Sequence, residues 1–229
     1  KVATARFADP AALMQMVDIE EFFTRPQRPA RVPNKAGMNT FAWNMRYPDA
    51  VRFDGMILWA AGTTGPVAPP GTYGVRLRLA GEALSESFRL TKDPRSDASD
   101  ADLKAQFDLL IAIRDKTTEA NNAVRLVRNM RWQVGDRAPR LTGAAAREFK
   151  DLSDSMMTDM SAGEQEVYQV KNQSGQAPLN FPIRVNNRLA NLLSMAERGD
   201  GRPTTNMPEI FGILTAELKG YTDQLAKVW

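Results

Sequence analysis

A chain of 229 residues with 43% hydrophobic and 25% charged side chains has the make-up of a folded globular protein, long enough for one large domain or two small ones. Its 30 basic and 27 acidic residues are interleaved to a net charge of +3, which calls for no nucleic-acid partner, and no window approaches the roughly 18 apolar residues of a membrane span. The chain holds no Cys and no His, which excludes disulfides, thiolate nucleophiles, a Ser-His-Asp triad and Cys- or His-ligated metal sites; no cofactor and no metal are expected.

The chain starts at Lys1 rather than Met, which reads as a processed or excised piece of something longer. Residues 1–37 form an N-terminal extension or linker. "DPAALMQMVDIEEFF" offers a short helix with Asp9 as N-cap and Pro10 at its first position, and a Pro-rich basic stretch follows. From residue 38 the apolar period becomes two. Phe41, Trp43 and Met45 share one face of a strand that ends at Pro48, and residues 55–62 ("GMILWAAG") form a short apolar strand. "VAPPGTYGVRLRLAG" supplies a Pro-Pro-Gly corner and a strand over about 72–80, with Tyr73, Val75, Leu77 and Leu79 packed inward. A tight turn at Ala80-Gly81-Glu82 leads into "ALSESFRL", where Leu84, Phe88 and Leu90 align. Short strands punctuated by Gly and Pro indicate a β-sandwich over 38–95. Only four strands are evident against the seven or so of an immunoglobulin-like domain, so the rest are expected in 1–37, in 47–71 or upstream.

"TKDPRSDAS", residues 91–99, is a polar hinge, and beyond it the period becomes helical over 96–229. Ser99 with Asp102 imitates a capping box. A seam through Leu103, Phe107, Leu110, Ile113, Thr117, Ala120, Val124 and Val127 predicts a helix of about 30 residues. After Pro139 a second seam uses Ala146, Phe149, Met156, Met160, Val167 and Val170. Pro182 opens a third helix through Val185, Leu189, Leu192 and Leu193. The fourth carries Ile210, Phe211, Leu214, Leu218, Tyr221, Leu225 and Val228. The expected fold class is therefore α+β with segregated parts, an immunoglobulin-like β-sandwich followed by an antiparallel bundle of about four helices.

Candidate chemistry is sparse. The carboxylate clusters Glu20-Glu21, Asp97/Asp100/Asp102 and Asp151/Asp154/Asp159 have the residue type of a glycosidase pair, but sit on polar faces and beside caps, where solvated charge is the default. Trp43, Tyr47, Trp59 and Tyr73 offer faces on which a sugar stacks, with core packing the competing reading. Tyr47, before a proline at a strand end, and Trp59 are the possible ligand contacts; no catalytic residue is assigned. Asn180, Asn186, Asn187 and Asn191 either line a polar pocket or cap a helix and tie down a loop.

The blocks "AGMNTFAWNMRYPDA", "ILWAAGTTGPVAPPGTYGVRLRLAGEALSESFRLTKDPR", "QFDLLIAIRDKTTEANNAVRLVR" and "YQVKNQSGQAPLNFPIRVNNRLANLLSMAERGDGRPT" follow one another in this order. Together they resemble the C-terminal region of bacterial proteins whose N-terminal part is a β-propeller of Asp-box (BNR) or sortilin-type repeats, proteins commonly labelled glycosyl hydrolase or sialidase-like. The stretch from Gly37 to about Arg95 is similar to the immunoglobulin-like module of flagellar hook-capping proteins, with its "PPGTY" hairpin. The resemblance implies export to the periplasm or beyond, and a propeller or another protein as partner. It also implies a non-catalytic accessory role, because residues 1–35 show no Asp-box pattern and any active site would lie in the propeller. A carbohydrate- or peptide-binding module on the sandwich and a part of a carboxylate-dependent glycosidase are the alternatives.

Overall fold

The structure is a computed structural model that describes residues 32–227. The helix expected at Asp9-Pro10, the Glu20-Glu21 pair and Val228 lie outside the described residues. Two strands and four helices follow in order: β1 (Gly71–Leu79), β2 (Glu82–Leu90), α1 (Asp100–Arg137), α2 (Gly143–Val167), α3 (Val185–Ala196) and α4 (Asn206–Ala226), with single 3-10 turns before α2 and before α3.

Helix α1 forms where the seam and the cap agree. Ser99 accepts from the Asp102 amide, and the Asp102 carboxylate accepts from the Ser99 amide, so the capping box is complete. Leu110, Ile113, Thr117, Ala120, Val124 and Val127 are all buried along one stripe. Helix α3 runs antiparallel to α1: Gln106 reaches the Ala196 carbonyl, and fifteen residues later Asn121 meets Asn186. Helix α2 is likewise antiparallel, with Arg128 and Arg131 of α1 on Glu164 and Ser161. Helix α4 closes the group against α2 and α3, burying Leu214, Leu218 and Leu225. The shared core holds Leu110, Ile113 and Val124 with Val167, Leu189, Leu192 and Leu193.

The expected immunoglobulin-like β-sandwich is not present among the described residues. The only sheet among the described residues is the antiparallel hairpin β1–β2, in which Tyr73 pairs with Phe88 and Leu77 with Leu84. The strands expected at 38–48 and 55–62 do not form; one isolated bridge, Arg46 to Val67, is all that remains of the first. The reason lies in where the apolar side chains go. Ala50, Phe53, Met56 and Ala68 are buried, and Phe53 and Met56 belong to the helical core, so residues 47–68 lie as an irregular strap across the helices. Phe41, Trp43 and Met45, expected inside a sandwich, are all partly open to solvent.

The two arms of the strap pair with each other at a few points, as from Tyr47 N–H to the Pro66 carbonyl and from Ala50 N–H to that of Thr63, and side chains on or beside the helices satisfy other backbone groups. Thr118 Oγ1 accepts from Val51 N–H and Asn121 Nδ2 donates to the Val51 carbonyl. Arg114 donates to the Pro48 carbonyl and Arg128 to that of Asp54. Tyr168, just past α2, accepts from Ile57 N–H and donates to the Gly55 carbonyl. Every such bond removes a backbone group from those a sheet would have paired.

Candidate interaction surface

A two-residue turn closes the hairpin, with φ of +50° at Ala80 and +92° at Gly81, the left-handed pair that matches strand twist. Because side chains alternate, Tyr73, Val75, Leu77 and Leu79 share one face with Phe88, Glu86, Leu84 and Glu82 opposite them. Inward packing was expected for the first four. Only Tyr73 is half-buried; Val75 is 55% exposed, Leu77 54%, Leu79 73% and, across the ladder, Leu84 69%. With no second sheet to close over it, the face stands open.

Its base is anchored. Trp43 lies on both Tyr73 and Phe88, with ring centroids 5.7 and 6.2 Å apart, and Tyr73 and Phe88 stack at 6.0 Å. The Trp43 indole N–H donates to the Arg46 carbonyl, and the Tyr73 hydroxyl donates to Pro69 O at 2.6 Å. These contacts hold the root of the hairpin to the strap while its distal two-thirds projects.

Tyr47 and Trp59, the sequence-derived contact candidates, are not brought together. The Tyr47 ring packs at a tilt against Phe107 of α1, centroids 4.8 Å apart, beside the Arg46–Glu197 ion pair at the C-terminal end of α3. The Trp59 main chain is held by Asn187 near the N-terminal end of α3, its side chain 41% exposed. About ten helical residues separate those two ends of α3, roughly 15 Å, so one sugar ring cannot stack on both. Of the four asparagines, Asn186 and Asn187 are buried, Asn191 is half-buried and Asn180 is exposed; Asn187 ties the strap down and Asn186 donates to Asn121 of α1, while α3 has no side-chain N-cap bond.

Two members of the carboxylate clusters are committed to local work. Asp102 accepts from Ser99 and faces Arg202, which holds its carboxyl below the usual range, chiefly through the Ser99 hydroxyl. Asp154 pairs with Lys150 on the surface of α2. Among the described residues no group of three or more Asp or Glu is arranged to hold a metal ion. The buried carboxylate is one that residue reading passed over. Glu164 is 3% exposed and takes Arg128 on one oxygen and Arg131 on the other, both at 2.8 Å. The Arg128 guanidinium also lies over Phe53 at 4.6 Å and Tyr168 at 5.4 Å. That arrangement is saturated, so it binds the strap to α1 and α2 and offers no free oxygen for acid–base work.

A cleft of about 290 Å³ lies between the hairpin root and the bundle, lined by Met45, Val67, Leu90, Phe107, Lys92 and Glu197 among others. Two of its charged groups are held internally: Lys92 donates to the Ser96 and Ala98 carbonyls and Glu197 pairs with Arg46. A larger depression of about 820 Å³ is an open groove on one helix, lined by α2 residues from Asp154 to Glu166. Comparison with protein-family models, with curated proteins and with solved structures gives no match.

Proposed function

We propose that this chain is a non-catalytic accessory region that docks onto another protein through the apolar face of its β hairpin. The observation that carries the reading is the open face itself: Val75, Leu77, Leu79 and Leu84 stand in solvent on a two-stranded sheet. An isolated hairpin is marginal in water, and a contiguous exposed apolar strip marks an interaction site. Supporting it, the buried carboxylate is internally paired, as are Lys92 and Glu197 of the cleft, and the chain has no His or Cys to perform chemistry. The ordered sequence blocks suggest the setting. The chain would belong to an exported bacterial protein of the BNR-repeat, glycosyl hydrolase-like kind, and its partner would be the β-propeller of that protein.

The test supplies the polypeptide encoded upstream in the same reading frame in trans and measures its association with this chain by calorimetry. Binding is expected, at least tenfold weaker for Leu77→Ser/Leu84→Ser, a change far from the helical core that leaves the helical circular dichroism intact. Undiminished binding of that variant, or a reading frame that encodes no propeller, would overturn the proposal. The chain alone is expected to cleave no chromogenic glycoside.

A further inference from the structure

Charge on the hairpin is sorted by face. Glu82 and Glu86, opposite Leu79 and Val75, stand on the apolar side, while Arg76, Arg78 and Arg89 stand on the other with Thr72, Ser85 and Ser87. The two-residue turn makes Leu79–Glu82 the hydrogen-bonded pair nearest the turn. Alternation then leaves the amides and carbonyls of residues 72, 74, 76 and 78 pointing off one edge, and those of 83, 85, 87 and 89 off the other. Neither edge has a strand beside it among the described residues.

These charges select what can cover the face. Two copies packed face to face would enclose four carboxylates and no cation in an interface two strands wide, an uncompensated desolvation. A two-fold pairing of β2 edges centred on Glu86 sets that residue opposite its copy, and one of β1 edges centred on Arg76 opposes the two arginines. Like charges directly opposed in a sheet are destabilising, so these registers are disfavoured. The chain's own apolar run "ALMQMVDIEEFF" at 12–23 carries Asp18, Glu20 and Glu21, the same sign as the face.

We infer that the hairpin seats a strand from a different polypeptide along its β2 edge, with Lys or Arg and apolar residues in turn on the face it shares with Leu84 and Phe88, so that the cations meet Glu82 and Glu86. The inference rests on the interaction reading above and adds the chemistry of the partner. Main-chain pairing at a free edge supplies affinity, and the glutamate row supplies choice.

Two synthetic ten-residue peptides serve as probes, each with Thr at every other position and, on the face between, Val alternating with Lys in one and Val alternating with Glu in the other. Each is titrated into the isotope-labelled full chain while the hairpin amides are followed by NMR. The Val–Lys peptide is expected to shift residues 75–79 and 82–88 to saturation, the Val–Glu peptide to bind at least tenfold more weakly, and Glu82→Lys/Glu86→Lys to invert that order. Equal binding of both peptides overturns the inference and leaves the docking reading standing; binding of neither overturns it as well. Contacts seen by NMR between the Leu77 or Leu84 methyls and residues 12–23, or a dimer dissolved by Leu77→Ser/Leu84→Ser, would name a different occupant and sink it. The docking reading itself falls only to the separate association measurement described above.

Discussion

The side-chain amide of Asn187 grips the Trp59 main chain on both sides of its Cα: Oδ1 accepts from the Trp59 N–H at 2.7 Å and Nδ2 donates to the Trp59 carbonyl at 3.0 Å. One buried side chain thus performs the two-bond exchange that a neighbouring strand performs in a sheet. Replacing Asn187 by Leu removes both bonds to the partly buried Trp59 main chain and is expected to cost about 1–2 kcal/mol. Denaturant unfolding with an unchanged m-value measures it, and a loss under about 0.5 kcal/mol would show that water replaces the amide.

At Gly65 the strap has no room for a side chain. A Cβ there would stand 2.0 Å from the Tyr47 carbonyl oxygen and 2.5 Å from that of Pro48, both backbone atoms. Gly65 N–H also donates to Asp49 and its carbonyl accepts from Arg46, so the two arms of the strap are pinned at this crossing. Gly65→Ala is expected to lose at least about 3 kcal/mol, or to release the strap while the helices persist. Hydrogen exchange separates the two results: release raises exchange at residues 47–68 and spares α1.

The Glu164 carboxylate is the electrostatic knot of the helical core. Glu164→Gln keeps the volume and removes the charge that Arg128 and Arg131 share. Both arginines still reach water, so the expected loss is about 2 kcal/mol, below that for a fully enclosed pair. Adding Arg131→Gln to that variant is expected to cost little more, a coupling that a double-mutant cycle reads directly.

Much of the helical half was legible because its signals are local. The α1 seam repeats at helical spacing and its capping box spans four residues, so sequence alone places both. The hairpin was legible for the same reason, through period-two alternation and a tight turn. The sandwich failed where the partners are remote. Val51 is satisfied by Thr118 and Asn121, and Trp59 by Asn187, pairings 67 to 128 residues apart that leave no periodic trace. Alternation at Val75, Leu77 and Leu79 reports that a strand has an apolar face; it does not report whether this chain covers it. Glu164 did leave a signal, since it falls one turn from Met160 and Val167 on a buried face.

Ala80 sits at φ +50° in the first position of the hairpin turn, where a Cβ is strained and glycine or asparagine is favoured. Ala80→Gly is expected to stabilise the hairpin by about 1 kcal/mol without touching the helices. Slower amide exchange at residues 71–90 alone would show it, and unchanged or faster exchange there would argue that the turn is not of this type.

Tyr168 ties the strap to α2 through a phenol whose proton is held more tightly in the folded chain. Burial pushes its pKa up; the Ile57 N–H and Arg128 pull the other way, and Glu164 adds to the rise. The sign follows from proton binding. Below about pH 10 the phenol is neutral in both states and its contribution is complete. Above that the unfolded phenol ionises first, so stability falls as pH rises towards the raised folded value. Tyr168→Phe removes the bonds to Ile57 and Gly55 and is expected to cost about 1–2 kcal/mol at neutral pH. The difference between wild type and variant should then shrink between pH 9.5 and 11, at the alkaline end set by tyrosine ionisation. A difference that stays constant across that range in parallel urea titrations would mean that the hydroxyl is not shielded in solution.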